Sequence, residues 1–371
     1  GVIDENNHQT TFTYNEINRM IEQADARGYK TSFGYDQAGN LITQTDPMGN
    51  GTSFTYDLMN RRIAVTNALS YTASMTYDNA GNLLTATDPK MRTTSFAYNE
   101  INQLTAVTDP MGYVKSYAYD QSGNRTSFTD ENNKTTGYAY DAINRLTQTT
   151  NALGKSRTFG YDQNGNLTTE TDDLNKTRTY AYDGLDRRTS ITDAMNNSTV
   201  YGFDAEGNTT SIRDANNHTT YLTYNDVYRL TMETGPTGAQ TVYGYDNAGN
   251  MTTLTDPNNN TTDFLYDEIN RLITKTDPMN NSTNFVYDYV GNLIILTDAN
   301  LNAENYYYDE LYRKIETVNA MSERMQFGYD EVGNLTSVTD ASGNTLLVLV
   351  FYLLLVLSGI NTAVKLTTVE A

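Results

Sequence analysis

Apolar and polar residues alternate in this chain with a period of two, in short runs cut by turn formers. In "KTSFGYDQAGN", residues 30–40, Phe33 and Tyr35 lie on one side of an extended segment and small or polar residues on the other. Residues i and i+2 share a strand face, so the run predicts a half-buried strand. "DQAGN" then predicts a turn, "LITQT" a second strand and "DPMGN" a second turn. Two turns of this kind leave two strands of about six residues each. The pattern repeats. Tyr14, Tyr35, Tyr56 and every 21st residue up to Tyr329 are aromatic, Phe203 being the one non-tyrosine among sixteen positions. No insertion or deletion interrupts the series, and Asp or Asn follows each time. Two residues earlier a second aromatic recurs (Phe12, Phe33, Phe54, Phe96, Tyr117), with Met75 and Leu222 as exceptions. One face is therefore an aromatic ladder and the other small or polar, as in a sheet packed on one side. A threonine column (Thr45, Thr66, Thr87, Thr108) supports the second strand.

A 42-residue period is nested in the 21. Units anchored by Tyr35, Tyr77, Tyr119 and Tyr161 continue Asp36, Asp78, Asp120 and Asp162, then Gly39-Asn40, Gly81-Asn82, Gly123-Asn124 and Gly165-Asn166. The alternate units carry Asn-Arg at that place, as in Asn18-Arg19 and Asn144-Arg145. All six prolines share one phase, and five of them follow the recurring Asp, which marks a turn or edge. Residues 1–345 are read as one continuous repeat array and 346–371 as a non-repeat hydrophobic tail. The fold class expected is all-β: a coiled antiparallel β-hairpin strip of tandem repeats. Its sixteen units would supply about 32 strands, and laid flat at about 4.8 Å per strand they would extend on the order of 150 Å. Twist accumulates in open sheets of that size, so a tube, spiral or shell is expected. The alternative is a β-solenoid with one coil per 21 residues.

The alternation of "YDxxGNLTxxTDPxG" with "YDxxNRLTxxTD" resembles the RHS, or YD, repeat family over about residues 1–345. The resemblance implies a long strip of hairpins coiled into a hollow shell. Family members include polymorphic toxins whose shell encloses a C-terminal toxic polypeptide, components of insecticidal toxin complexes, bacterial wall-associated proteins and teneurins. Two departures stand out. The Asp-Pro-Gly-rich closing segment of the toxin type is not found. Spacing is also invariant, and identical units related by one operator generate an open helix rather than a closed shell.

The net charge of −20 argues against nucleic acid and anionic membrane surfaces as partners, because phosphate binding needs a basic face. With no cysteine, disulfides, thiol nucleophiles and cysteine metal sites are excluded. No P-loop, dinucleotide fingerprint, HExxH or GxSxG is present. Residues repeated in every unit read as building material, so no enzyme, catalytic residue or cofactor is expected. His8 and His218 stand in "NNH" turn contexts with no fixed acid expected beside them. The turn aspartates Asp46, Asp88, Asp109 and Asp130 make calcium the one candidate ion, against an Asx-turn reading.

Fifteen N-x-Ser/Thr sequons occur, among them Asn50, Asn124, Asn166, Asn197, Asn260, Asn281 and Asn334. They suit exposed turns of an exported protein, and an Asn-rich turn before a Thr-rich strand also creates them automatically. Gly1 opens in mid-repeat, so the chain is expected to be a segment of a longer protein. Leu346–Leu357 is a run of twelve apolar residues, short of the about 20 that a membrane helix needs. It reads as a donor strand for the next chain, as sequence out of phase after Thr345, or as a weak membrane anchor. The function expected is a non-enzymatic structural scaffold, extracellular or on the cell surface, that self-associates into a fibre, tube or shell wall. The alternatives are a shell fragment of a secreted toxin and a glycan-binding adhesin that uses its tyrosine ladders.

Overall fold

Both turns of the repeat fold in one way. The amide of the leading Asp donates to the carbonyl four residues on, and the amide three residues on donates back to the Asp carbonyl. Asp36–Asn40 and Asp46–Asn50 each make this pair. The geometry is a type I turn closed by one left-handed residue, a three-residue hairpin loop suited to sheet twist. The left-handed place falls to Gly39 (φ 99°) and Gly49 (φ 88°), or to asparagines such as Asn18 (φ 59°) and Asn60 (φ 59°). Gly and Asn tolerate that region, which explains why they recur there.

The computed structural model describes residues 1–348. They form 34 strands assigned to one unclosed antiparallel sheet, with no helix among the described residues. A six-residue strand, a five-residue turn, a five-residue strand and a five-residue turn complete each repeat, as in Lys30–Tyr35 and Leu41–Thr45. Consecutive strands pair, so this is a meander, and the β-solenoid alternative is overturned. The Gly and Asn turns reverse the chain completely, where a solenoid corner would only bend it. The two additional strands are the short terminal ones, Val2–Ile3 and Thr345–Leu347, and the latter pairs with Leu335–Thr339. The donor-strand, out-of-phase and membrane-anchor readings of the tail fall mainly on residues 349–371, outside the described residues. No helix among the described residues is long and apolar enough to cross a membrane.

The chain divides into two compact units. One gathers residues 1–75, 87–92 and the described residues from 263 onward, and the other residues 76–86 and 93–262. Register is the same in both. In the first, Phe33 faces Gln44 and Gly34 faces Thr43, after which Tyr35 faces Leu41. In the second, Tyr117 faces Phe128 and Ala118 faces Ser127, after which Tyr119 faces Arg125. The slip is a β-bulge at each anchor tyrosine, which lets a six-residue strand pair with a five-residue one.

The anchor tyrosine stitches neighbouring hairpins together. The Tyr35 hydroxyl donates to the Met20 carbonyl at 2.9 Å, and Tyr161 to the Leu146 carbonyl at 2.8 Å. The same bond, fifteen residues back, recurs at Tyr56, Tyr119, Tyr182 and Tyr245. A phenylalanine would fill the space but leave that carbonyl without its donor.

The aromatic ladder is not a closed core. Among the described residues only Ala24, at 9% exposed, is buried. The ladder is half-buried by its cross-strand neighbours and by basic side chains laid over it. Arg125 sits 4.8 Å from the Tyr138 ring centroid and Lys314 5.1 Å from that of Phe327. Tyr117 and Phe128 pack at 5.5 Å. Long basic stems cover apolar rings while their charged heads stay in water.

Candidate functional site: the turn edges

With no core, the candidate surfaces are the two edges where the turns line up. Along the Tyr-Asp edge, Arg and Asn tie each turn to the next. In the Asn-Arg turns, Arg145 bonds Asp141 through Nε at 2.7 Å. Its Nη1 reaches the Asp162 carbonyl of the following turn at 2.9 Å, and its guanidinium stacks 4.9 Å from the Tyr161 centroid. Arg187, Arg271 and Arg313 repeat this set on Asp204, Asp288 and Asp330. In the Gly-Asn turns, Asn124 Nδ2 bridges Asp120 and, at 2.8 Å, Asn144 of the next turn. The 42-residue period thus has a cause: Arg links one turn forward and Asn links the next. At Gly39 a Cβ would lie 3.0 Å from the Arg19 guanidinium, and the positive φ of 99° already favours glycine there.

The sequence-marked anchors all lie on this edge. Asp36, Asp78, Asp120 and Asp162 open the turns, Gly39, Gly81, Gly123 and Gly165 take positive φ, and Asn40, Asn82, Asn124 and Asn166 close them. Hydrogen bonds from the Asn side chain and the turn amides hold each of these carboxyls below the usual carboxylate range, against some desolvation. Among the described residues no group of three or more His, Cys, Asp or Glu could hold a metal ion. The carboxylates of Asp46, Asp88, Asp109 and Asp130 accept turn amides. The sequon amides are engaged as well: Asn197, Asn260, Asn281 and Asn334 each donate to the Asp four residues back, and Asn166 bonds Asp162 and Asp186. The histidines differ from expectation. His8 Nδ1 lies 3.1 Å from Asp4 and His218 Nδ1 3.3 Å from Asp214, because the turn brings residue i+4 back over its leading Asp.

Within the first unit the two edges meet. Lys90 Nζ, at a Thr-Asp turn, lies 2.7 Å from Asp330 Oδ2 and 3.9 Å from Glu331, at a Tyr-Asp turn. Arg27 Nη1 lies 3.2 Å from Asp267 Oδ2, and its Nε 3.8 Å from Glu268. Tyr29 and Tyr289 pack with centroids 4.5 Å apart. Tyr312 donates its hydroxyl to the Asp46 carboxylate and accepts from Asn50 Nδ2 at 3.1 Å. The sequon amide of Asn50 is therefore part of the seam. The partners are separated by 240 to 266 residues, so the chain returns to its own edge after about twelve repeat units. The Lys90 ammonium and the Asn334 amide hold Asp330 well below the carboxylate range, although desolvation opposes them.

Sequence reasoning missed this seam. Its traces were single departures from the repeat. Arg27 and Lys90 are cations where the other turns of that edge carry Met, Leu, Asn, Ser or Thr. Tyr312 occupies a left-handed position (φ 62°) that five of its seven sister turns give to Asn, Asp186 and Tyr228 being the others. A bulky residue is strained there.

The repeats match two described families: Teneurin YD-shell over residues 124–298, and RHS Repeat over residues 14–47, 35–72 and 98–135. The chain thus carries repeats similar to those of the RHS and YD-shell families. Its fold is similar to that in the crystal structure of TcdB2-TccC3, with a TM-score of 0.76 and 16% identity over 92% of this chain and 22% of that one. TcdB2-TccC3-Cdc42 gives 0.73 and 15%, over 91% and 22%. The Photorhabdus luminescens Tc holotoxin pore gives 0.50 and 15%, over 91% and 26%. The chain thus spans about a quarter or less of these structures' chains. No curated protein sequence matches it.

Proposed function

We propose that this chain is a non-catalytic wall: a one-layer strip whose opposite turn edges zip together to bound a tube or shell. The observation that carries the reading is the seam, in which Thr-Asp turns of residues 25–92 meet Tyr-Asp turns of residues 267–334. A sheet with no second layer gains a continuous surface only by joining its edges. Invariant spacing supports a uniform coil, since every unit contributes the same rotation. Export to the cell surface or beyond fits the acidic composition, the absence of cysteine and the many turn sequons. Cryo-electron microscopy of the full chain tests the reading. Curved single-layer walls with adjoining strip edges are expected, and straight ribbons or two-layer sandwiches would refute it.

A second reading is favoured by the half-exposed aromatic ladder that runs along one face. In this reading the wall encloses a polypeptide, as the toxin-type resemblance implies. Protease protection of a polypeptide fused to the chain, lost on dissociation of the wall, would distinguish containment from a bare fibre.

A further inference from the structure

The seam joins two tyrosines that the repeat by itself would not bring together. Tyr289 is the second residue of its Tyr-Asp turn, and no sister turn carries an aromatic there: Glu268, Glu310 and Glu331 are typical. Tyr29 closes the Thr-Asp turn led by Asp25. Their ring centroids lie 4.5 Å apart with the planes tilted by 35°, so carbons of the two rings touch. The contact is held in place from one side. The Arg27 guanidinium lies 5.3 Å from the Tyr29 centroid and is itself bonded to Asp267 across the seam. Tyr289 is 57% exposed and Tyr29 half-buried, so small oxidants reach the pair from water. The ladder tyrosines are placed differently. Successive anchors such as Tyr35 and Tyr56 sit two strands apart, about 10 Å, and commit their hydroxyls to backbone carbonyls. With no cysteine in the chain, a disulfide cannot fasten the seam, and the facing tyrosines are left as the groups that can be joined.

We propose that Tyr29 and Tyr289 are an oxidative cross-linking site that locks the seam covalently, with a peroxidase-type one-electron oxidant and hydrogen peroxide as co-reactants. Each phenol loses one electron and one proton and becomes a phenoxyl radical. The two radicals combine through a ring carbon beside each hydroxyl, forming one carbon–carbon bond. The hydrogen on each of those carbons then passes to the phenol oxygen of its own ring, which restores both hydroxyls. Hydrogen peroxide takes up the two electrons and two protons and becomes two molecules of water. The product is a dityrosine that closes a loop containing most of the chain, and a tie across a long loop removes the most freedom from the unfolded state. An oxidising exterior, where a free thiol is a liability, suits such a fastener. The inference rests on the wall reading, because the two rings meet only where the opposite edges meet.

A haem peroxidase with hydrogen peroxide, applied to the full chain at high dilution, tests it. Tyr289→Phe is the variant, because it keeps the ring in the seam but forms no phenoxyl radical. Peptide mass spectrometry of the monomer should find the peptides carrying Tyr29 and Tyr289 joined, and lighter than their sum by two hydrogen atoms. The joined pair should be lost in Tyr289→Phe. Oxidation should shift the denaturation midpoint of the parent upward and leave that of Tyr289→Phe in place. A carbodiimide, which couples an ammonium to a touching carboxylate, reports the seam separately by linking Lys90 to Asp330 in parent and variant alike. That link without a Tyr29–Tyr289 product, or with the product only in dimers, overturns the cross-linking inference alone. A joined pair that leaves the midpoint of the parent unchanged overturns its role as a fastener. Failure of both links refutes the wall reading itself.

Discussion

Lys90 and Asp330, 240 residues apart, bring an ammonium and a carboxylate to 2.7 Å across two turn edges. The Asp330 side chain is 10% exposed and that of Lys90 32%, so this pair is more shielded than an ordinary surface ion pair. Replacing Lys90 with Met should loosen the seam without unfolding the hairpins on either side. The expected signature is faster amide hydrogen exchange confined to turns 88–92 and 330–334, with far-ultraviolet circular dichroism unchanged. Exchange that rises evenly along the chain would show that the pair is not a local fastener.

The arginine that links adjacent turns should not tolerate lysine. Arg145 donates to Asp141 and the Asp162 carbonyl and stacks on Tyr161, and a lysine ammonium cannot do all three. Arg145→Lys should cost about 1 kcal/mol in chemical denaturation, from one lost carbonyl bond and a weaker ring contact. Arg145→Lys with Arg229→Lys should be close to additive, since four repeat units separate them. A strongly non-additive result would mean that the links act as one long chain.

Phe203 is the one anchor without a hydroxyl. At eleven other anchors the hydroxyl donates to the carbonyl fifteen residues back, which for position 203 is that of Arg188. Phe203→Tyr should therefore stabilise the chain by about 0.5–1.5 kcal/mol, and Tyr161→Phe should destabilise it by a similar amount. Equal midpoints for Phe203→Tyr and its parent would show that the Arg188 carbonyl is already satisfied.

Acid stability follows from the turns. The carboxyls of Asp36, Asp78, Asp120 and Asp162 are held below 3.8, first by the neighbouring Asn amide. A depressed carboxyl stabilises the folded chain above its unfolded value, and the benefit is lost as pH falls through the folded value. Between pH 7 and the isoelectric point near 4.4, stability should hold or rise as the −20 charge is relieved. Below about pH 3.8 the melting temperature should drop. Thermal melts from pH 7 to pH 2 check both limbs, and a steady decline from pH 7 would contradict the turn assignment.

Much of this molecule could be read from its residues. The 21-residue phase located strands and turns, because each turn closes through bonds among five consecutive residues. The 42-residue module was visible as Gly-Asn against Asn-Arg. Its reason was not, since the reach of Arg145 to Asp162 crosses between neighbouring turns. The expectation of a packed aromatic core failed because alternation marks which face is apolar and says nothing of what covers it. The meeting of Arg27 with Asp267 lay beyond the sequence for a stronger reason. The point of return depends on small rotations accumulated over about twelve repeats, and a slight change per unit would move the contact to another turn. Local chemistry was thus settled by the sequence itself, through short-range turn bonds and strand alternation. The seam was decided by the tertiary structure, because only the accumulated curvature of the sheet determines which turns meet.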